Sequence, residues 1–150
     1  MQPTVMKGDA VMVDLRAYVH QQPERGDVVI LERSGTASVR RILGVPGDQM
    51  SGDGGAVSIN GQMMSEPYVR FSEGSNASRR HFPLVQVPTD NYFVLGDSRD
   101  ISLDSRDEHF GMIDRDQIKG RVLYVLTSDD PRRAGVSVPS VHQAPAASHQ

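Results

Sequence analysis

Turn-forming residues interrupt the chain every few positions and leave only short apolar runs between them. These runs are rich in valine and isoleucine, which favour strands, and none of them continues with the period of a helix. Short β-branched runs bounded by Gly, Pro, Asn or Asp predict strands joined by tight turns. The sequence therefore predicts an all-β fold in which the chain coils into small antiparallel sheets with little helix. The predicted strands are 10–13, 28–31, 37–43, 57–59, 62–64, 85–87, 92–95 and 120–126.

Two turns indicate which of these strands pair. Ser34-Gly35 lies between the second and third predicted strands, and Asn60-Gly61 lies between the fourth and fifth. Asn-Gly and similar glycine-containing pairs favour the two-residue turns of β-hairpins. We therefore expect a hairpin at each of these two positions. A single helical turn is expected over residues 114–118.

The composition excludes several classes of function. A formal net charge of −3 gives no basic surface for nucleic acid, so no nucleic-acid partner is predicted. The chain has no cysteine, which removes disulfides, a thiol nucleophile and cysteine-based zinc sites. Its five histidines lack the spacing of metal ligands, so neither a metal nor a cofactor is predicted. No stretch reaches the roughly 20 apolar residues of a membrane span, and the chain as given is expected to be soluble, with no anchor.

The chain divides into one domain and a tail. Residues 1–127 hold all the predicted strands and are long enough to bury a core. From Ser128 onward prolines, serines, alanines and glutamines dominate, and no periodic pattern survives. We predict a β domain over 1–127 and a disordered tail over 128–150. The polar stretch 72–81 is expected to form an exposed loop.

Residues 96–106 form a polar stretch wedged between apolar strands. Its eleven residues include three aspartates, two arginines and three serines. Such a density of short acceptors and long donors suits a loop in which Asp–Arg pairs and hydroxyls fix one another. A solvated turn with incidental charges is the alternative, and composition alone favours it. The position of the stretch between strands argues instead for a buried, cross-braced loop.

This stretch, together with Gly111, resembles the last motif of the bacterial type I signal peptidases. That motif is Gly-Asp-(Asn/Ser)-Arg-Asp-Asn-Ser-x-Asp-Ser-Arg with a glycine a few residues later, and only Ile101 departs from it. The resemblance implies the coiled antiparallel β-sheets of that family. It also implies that Ser102 supplies a hydroxyl that orients the catalytic base. The residues that would brace the loop around it are Asp97, Arg99, Asp104 and Arg106.

Three further motifs of the family occur in order and with compatible spacing over residues 1–126. They are Met1-x-Pro3-Thr4 before Gly8-Asp9, then Arg25-Gly26-Asp27-Val28-Val29, then the run from Val39 to Asp48. By the resemblance, the nucleophilic serine would stand immediately before Met1, so that position is absent from this chain. The catalytic lysine of the family falls on Arg40, and the arginine beside it falls on Arg41.

The resemblance implies a serine endopeptidase that removes signal peptides from exported precursors by a Ser–Lys dyad. In such a dyad a neutral lysine amine takes the proton of the serine hydroxyl, and no cofactor takes part. The implied partners are signal peptides and, for a full-length protein, the membrane surface. The implied location is the cytoplasmic membrane, with the domain on its outer side. By the resemblance, small side chains before the cut would enter shallow apolar pockets. Candidates for the pocket lining are Met6, Val11, Ile30 and Leu43, but each is equally well explained as a core residue.

Arginine at position 40 leaves three interpretations of the function. A guanidinium is effectively never deprotonated in a protein, so Arg40 cannot act as the general base. In the first interpretation, the chain is the periplasmic-side domain of a signal peptidase-like serine protease whose natural start lies upstream of Met1. In the second, it is a catalytically inactive member that keeps the scaffold to bind peptides. In the third, an upstream serine works with a different base, for which the sequence offers no candidate. The residue that precedes Met1 in the gene distinguishes an enzyme from a binding module, since serine favours the enzyme and any other residue favours the module.

Overall fold

A computed structural model describes residues 1–72 and 81–141, and within these ranges it contains ten strands, two short 3₁₀ helices and no α-helix. The predicted all-β fold is therefore confirmed. The strands are β1 Ala10–Asp14, β2 Val28–Arg33, β3 Thr36–Gly44, β4 Gln49–Asp53, β5 Ala56–Ile59, β6 Gln62–Met63, β7 Phe82–Gln86, β8 Asn91–Leu95, β9 Ile113–Asp114 and β10 Ile118–Thr127. The 3₁₀ helices are Arg115–Gln117, where a helical turn was expected, and Pro131–Arg133. Most of the expected loop 72–81 lies outside the described residues.

The strands form two antiparallel sheets. The larger sheet has the order β1-β10-β2-β3-β8-β9, and the smaller has the order β6-β5-β4-β7. Both predicted hairpins are present, one joining β2 to β3 and the other joining β5 to β6. Ser34 and Gly35 have φ values of 48° and 75°, and Asn60 and Gly61 have values of 52° and 79°. Positive φ at both central residues is the requirement of the hairpin turn that these pairs favour.

Apolar side chains point alternately to the two faces of the larger sheet and pack into separate clusters of the core. On β2, Val28 belongs to one buried cluster and its neighbour Val29 to another, because successive strand residues point to opposite faces. A third cluster, which includes Met50 and Phe93, fills the space between the two sheets. Packing on both faces of the larger sheet holds its central strands in a fixed register.

The first half of β3 has a free edge. On one side, β3 pairs with β2 from Thr36 to Arg41. On the other side, β8 pairs with β3 only from Arg41 to Gly44. Among the residues that the structure describes, no strand therefore pairs with the outer side of residues 36–40. The free edge ends at Arg40.

Residues 128–141, which were assigned to a disordered tail, pack against the larger sheet instead. Val138 is buried against Val125 on β10, and its amide donates a hydrogen bond of 2.8 Å to the carbonyl of Leu123. Arg133 contacts the carboxylate of Asp9 at 2.7 Å. The segment extends the sheet beside the end of β10 that β2 does not cover. The rest of the expected tail, residues 142–150, lies outside the described residues.

Candidate active site

The loop 96–106 folds back onto the strand that precedes it. The hydroxyl of Ser105 accepts a 2.9 Å hydrogen bond from the amide of Val94 on β8, and the Ser105 amide donates to the Val94 carbonyl at 3.0 Å. The Asp104 carboxylate accepts from the Gly96 amide at 3.0 Å. Asp104 and Ser105 are both buried. The predicted buried loop is therefore present, and the alternative of a solvated turn is wrong.

Arg106 and Asp104 form one of the Asp–Arg pairs expected in this loop. Arg106 donates two hydrogen bonds of 2.8 Å, one from Nε and one from Nη2, to the two oxygens of the Asp104 carboxylate. A fork of this kind fixes both the distance and the orientation of the two side chains. It holds the carboxylate in place for its bond to the backbone of Gly96.

Arg99 is also buried, but its partner lies outside the loop. Two guanidinium nitrogens of Arg99 contact the Glu66 carboxylate, and its Nε donates to the carbonyl of Gly96 at 3.0 Å. Burial alone lowers the pKa of Arg99, but the hydrogen bonds and charge of Glu66 outweigh that effect and raise it. Sequence reasoning identified Arg99 and did not identify Glu66. The two residues lie 33 positions apart, and no local pattern connects them.

Asp97 joins the loop to β3. Nε and Nη2 of Arg41 donate hydrogen bonds of 3.0 and 2.8 Å to the two oxygens of Asp97, and both side chains are fully buried. The hydroxyl of Thr4 donates to the same carboxylate. Arg41 also donates to the carbonyl of Pro139, and its guanidinium lies 4.0 Å from the centre of the Tyr68 ring. This cluster ties the loop, β3 and both ends of the described chain together.

Arg40 and Ser102 line one open groove of about 550 Å³. Ser102 lies directly against Gly96, where an added Cβ would meet the Ser102 hydroxyl oxygen at 1.8 Å. Position 96 must therefore lack a side chain for Ser102 to occupy its place. Of the four apolar pocket candidates, Met6 lines the groove. The groove is lined by Met1, Gln2, Val5, Met6, Lys7, Ser38, Val39, Arg40, Ser98, Ile101, Ser102 and Leu103.

Backbone carbonyl groups hold the Arg40 side chain in position. Its Nε and Nη2 donate to the Leu103 carbonyl at 3.0 and 2.7 Å, and its Nη1 donates to the Val39 carbonyl at 2.6 Å. Burial lowers the pKa of Arg40, and the charge of Asp104 opposes that effect. A guanidinium starts from so high a pKa that Arg40 stays protonated near neutral pH. Arg40 therefore supplies a fixed positive charge and cannot accept a proton.

The amino end of Met1 lies within electrostatic reach of the same residues. Burial lowers the pKa of the Met1 amino group, the charge of Arg40 lowers it further, and Asp97 partly opposes both effects. Met1 also lines the groove. The amino end of the chain, Arg40 and Ser102 are therefore brought together at one site.

Over 1–72 and 81–141, no group of three histidine or carboxylate side chains is arranged to hold a metal ion. In the same two ranges, no helix has the length and apolar character needed to cross a membrane.

Comparison with known proteins is consistent with this arrangement. A family model described as "Signal peptidase, peptidase S26" matches residues 1–127. The chain is 31% identical over 167 positions to the probable signal peptidase I-2 of Synechocystis, which covers all of this chain and 73% of that protein. It is 33% identical to signal peptidase IB of Staphylococcus aureus, over 83% of this chain and 71% of that protein.

A solved structure shows the same fold. The crystal structure of a signal peptidase I from Enterococcus faecalis matches with a TM-score of 0.54 and 28% identity, covering 71% of this chain and 98% of that one. The family match spans all four motifs, and three of them contribute residues to the groove. The chain therefore belongs to the signal peptidase family, peptidase S26, a family of serine endopeptidases.

Proposed function

We propose that this domain binds the cleavage region of exported precursors in the groove beside Arg40 and Ser102. One observation carries the proposal: the free edge of β3, over residues 36–40, ends at Arg40 inside that groove. Unpaired backbone groups on a strand edge can bind an extended peptide as an additional strand. The groove then receives the side chains of the bound peptide. By analogy with the family, small side chains precede the bond that would be cut.

By the resemblance to the family, the serine nucleophile that cleavage requires belongs immediately before Met1. A serine immediately before Met1 would be joined to a backbone nitrogen that lies within reach of Arg40. Its hydroxyl would then enter the groove that Ser102 also lines. We propose that position as the site of the nucleophile, with Ser102 as the hydroxyl that orients the base. Asp97, Arg99, Asp104 and Arg106 keep a structural role.

Cleavage also requires a base, and position 40 is the place for it. Burial lowers the pKa of the cation at this position. A lysine at the same place would experience the same burial, and its lower starting pKa would allow it to become neutral. With arginine at position 40, we propose that the chain binds peptides without cutting them. A catalytically inactive peptide-binding module is therefore the function proposed for the chain as it stands.

The test compares two versions of the chain that carry an added serine before Met1. One keeps Arg40 and the other carries Arg40→Lys, and both are given an internally quenched peptide with small residues before the cut. We expect the lysine version to cleave about 100-fold faster, which is a typical contribution of a general base. Its rate should rise with pH, because the neutral amine is the active form. Equal rates in the two versions would refute the assignment of position 40.

Two controls separate the roles of the serines. Replacing the added serine with alanine in the Arg40→Lys version should abolish cleavage, because the nucleophile is gone. Ser102→Ala in the same version should slow cleavage and leave peptide binding unchanged. A Ser102→Ala version that cleaves at the full rate would show that this hydroxyl does not orient the base.

We also propose that this protein shares the location and the natural partners of its family. The family acts on signal peptides at the membrane, with its catalytic domain on the outer side. The amino-terminal sequence and intact mass of the protein from its native host test this directly. A longer chain with an apolar segment and serine before Met1 supports the peptidase. A mature chain that begins at Met1 supports the binding module.

A further inference from the structure

A second cavity, of about 350 Å³, opens beside the groove. It shares Ser38, Arg40 and Leu103 with the groove, so the two form one continuous depression. Arg40 stands where they meet. A peptide that lies along the free edge of β3 therefore passes both. The cavity is lined by Arg33, Thr36, Ser38, Arg40, Leu103, His109 and Phe110.

Two guanidinium groups face the same aromatic ring in this cavity. The guanidinium carbons of Arg33 and Arg40 lie 5.0 and 5.7 Å from the centre of the Phe110 ring. Arg33 donates a hydrogen bond to the Phe110 carbonyl, and Arg40 donates to the Leu103 carbonyl. Each arginine is therefore held by the ring and by neutral backbone oxygens.

In the part of the chain that the structure describes, neither guanidinium contacts a carboxylate. Two acidic side chains beside the cavity already have partners, since Asp104 holds Arg106 and Asp107 lies 3.4 Å from the ring nitrogen of His109. Two fixed guanidinium groups with unused donors form a recognition site for a carboxylate, which their fork geometry matches.

We propose that this cavity binds an acidic side chain of the peptide held in the groove. The inference rests on the proposed function and names a class of substrate for the same site, namely peptides that carry Asp or Glu where they pass Arg33. The carboxylate accepts hydrogen bonds from Arg33 and Arg40. The side-chain methylenes lie against Phe110. Acidic residues near the small-residue site therefore strengthen binding.

The test measures peptide binding, so it requires no catalysis. A fluorescently labelled peptide with small residues at its centre is made as a series of pairs, with Asp or the isosteric Asn at one position at a time. We expect Asp to bind about 3- to 10-fold more tightly than Asn at one or two positions, as a partly exposed ion pair would give. The preference should shrink in high salt, because screening weakens exposed charge pairs.

Variants of the chain identify the group responsible. Arg33→Gln should reduce the Asp preference to less than about twofold, and Arg33→Lys should retain part of it. Thr36→Asp, on the exposed strand position that pairs with Arg33, should also remove the preference by supplying a competing carboxylate. It serves as a second test if Arg33→Gln does not fold. Arg16→Gln removes the same charge from an exposed arginine outside the cavity and should change nothing.

Each result separates the two proposals. If peptides bind but Asp and Asn bind equally at every position, the acidic site is refuted and the peptide-binding function stands. If no peptide binds, the proposed function itself fails. If Arg16→Gln reduces the preference as much as Arg33→Gln does, the effect comes from net charge and the cavity is not the site. If anionic vesicles bind in an Arg33-dependent way while peptides show no preference, the cavity recognises a lipid surface and the peptide inference is wrong.

Discussion

Arg40 and Arg41 are adjacent on β3, have the same chemistry and lie in opposite environments. The Arg41 side chain is fully buried and holds the Asp97 carboxylate with two hydrogen bonds. The Arg40 side chain is only partly buried and donates to carbonyl groups alone. The difference arises because successive strand residues point to opposite faces of the sheet. Arg41 points to the side where Asp97 closes over it, and Arg40 points to the side that lines the open groove.

The comparison shows how residues of one type divide their roles. The charge of Arg41 is neutralised inside the protein, so removing it leaves Asp97 buried and unpaired. The charge of Arg40 is held in place but is not neutralised by a contacting carboxylate in the described part of the chain, so it stays available to a ligand. The side of β3 that carries Arg41 therefore fixes the geometry of the loop, and the side that carries Arg40 lines the groove.

The largest expected effect on stability comes from breaking the buried pair of Arg41 and Asp97. Arg41→Met should lower the free energy of unfolding by about 3 to 5 kcal/mol, because it leaves an uncompensated buried carboxylate. Arg40→Met, the matched change on the open side, should lower it by less than about 1 kcal/mol. Urea denaturation of both variants and the parent measures the difference. Similar losses in the two variants would contradict the division of roles.

The next largest effect is expected at the contact between Gly96 and Ser102, where the loop 96–106 borders the groove. Gly96→Ala should destabilise the protein by about 1 to 3 kcal/mol, because the new Cβ would lie 1.8 Å from the Ser102 hydroxyl oxygen and 2.5 Å from its Cβ. Adding Ser102→Gly should recover most of the loss, because it removes both atoms. Adding Ser102→Ala should recover less, because it keeps the Cβ. If Gly96→Ala has the same stability alone, with Ser102→Gly and with Ser102→Ala, the two residues are not coupled.

A smaller effect is expected from Asp9, whose fully buried carboxylate pairs with a partly exposed Arg133. The hydrogen bond from Arg133 lowers the pKa of Asp9 from 3.8 to about 2, although burial opposes it. The folded-state pKa lies below the unfolded value, so the stabilisation is complete above about pH 4 and is lost as the pH falls toward 2. Asp9→Asn should therefore lower stability by about 1 to 2 kcal/mol at pH 7 and by much less near pH 2.

Denaturation curves over this pH range measure the effect. The control is Asp130→Asn, which alters an ion pair on a largely exposed Arg132 and should give a smaller loss at every pH. A constant difference between Asp9→Asn and the parent from pH 7 to pH 2 would contradict the assigned pairing.

The features that could be predicted from the sequence are local ones. The valine-rich runs and the Asn60-Gly61 turn predicted strands and hairpins, because both signals act over a few residues. The pairing of Asp104 with Arg106 was expected within one polar loop. Even so, the strand β4, Gln49–Asp53, was not predicted from the sequence.

The partners of the other charged residues could not be predicted. Asp97 pairs with Arg41 across 56 positions, and Arg99 pairs with Glu66 across 33. Nothing local tells one arginine from another, so only the three-dimensional fold selects the pair. The packed segment 128–141 was missed for a similar reason. It joins the core mainly through Val138 and through hydrogen bonds to β10, and neither contact requires a periodic pattern.

The contacts between the two ends of the described chain have a consequence for the order in which the protein becomes functional. Arg133 donates hydrogen bonds to the Thr4 carbonyl and to Asp9, which lie 129 and 124 positions earlier. These contacts hold the segment that carries Met1 into the groove, and Arg133 lies beyond the 1–127 family match. Residues this far apart meet only after nearly the whole described chain has left the ribosome. The groove is therefore completed late in synthesis, after most of the larger sheet has been made.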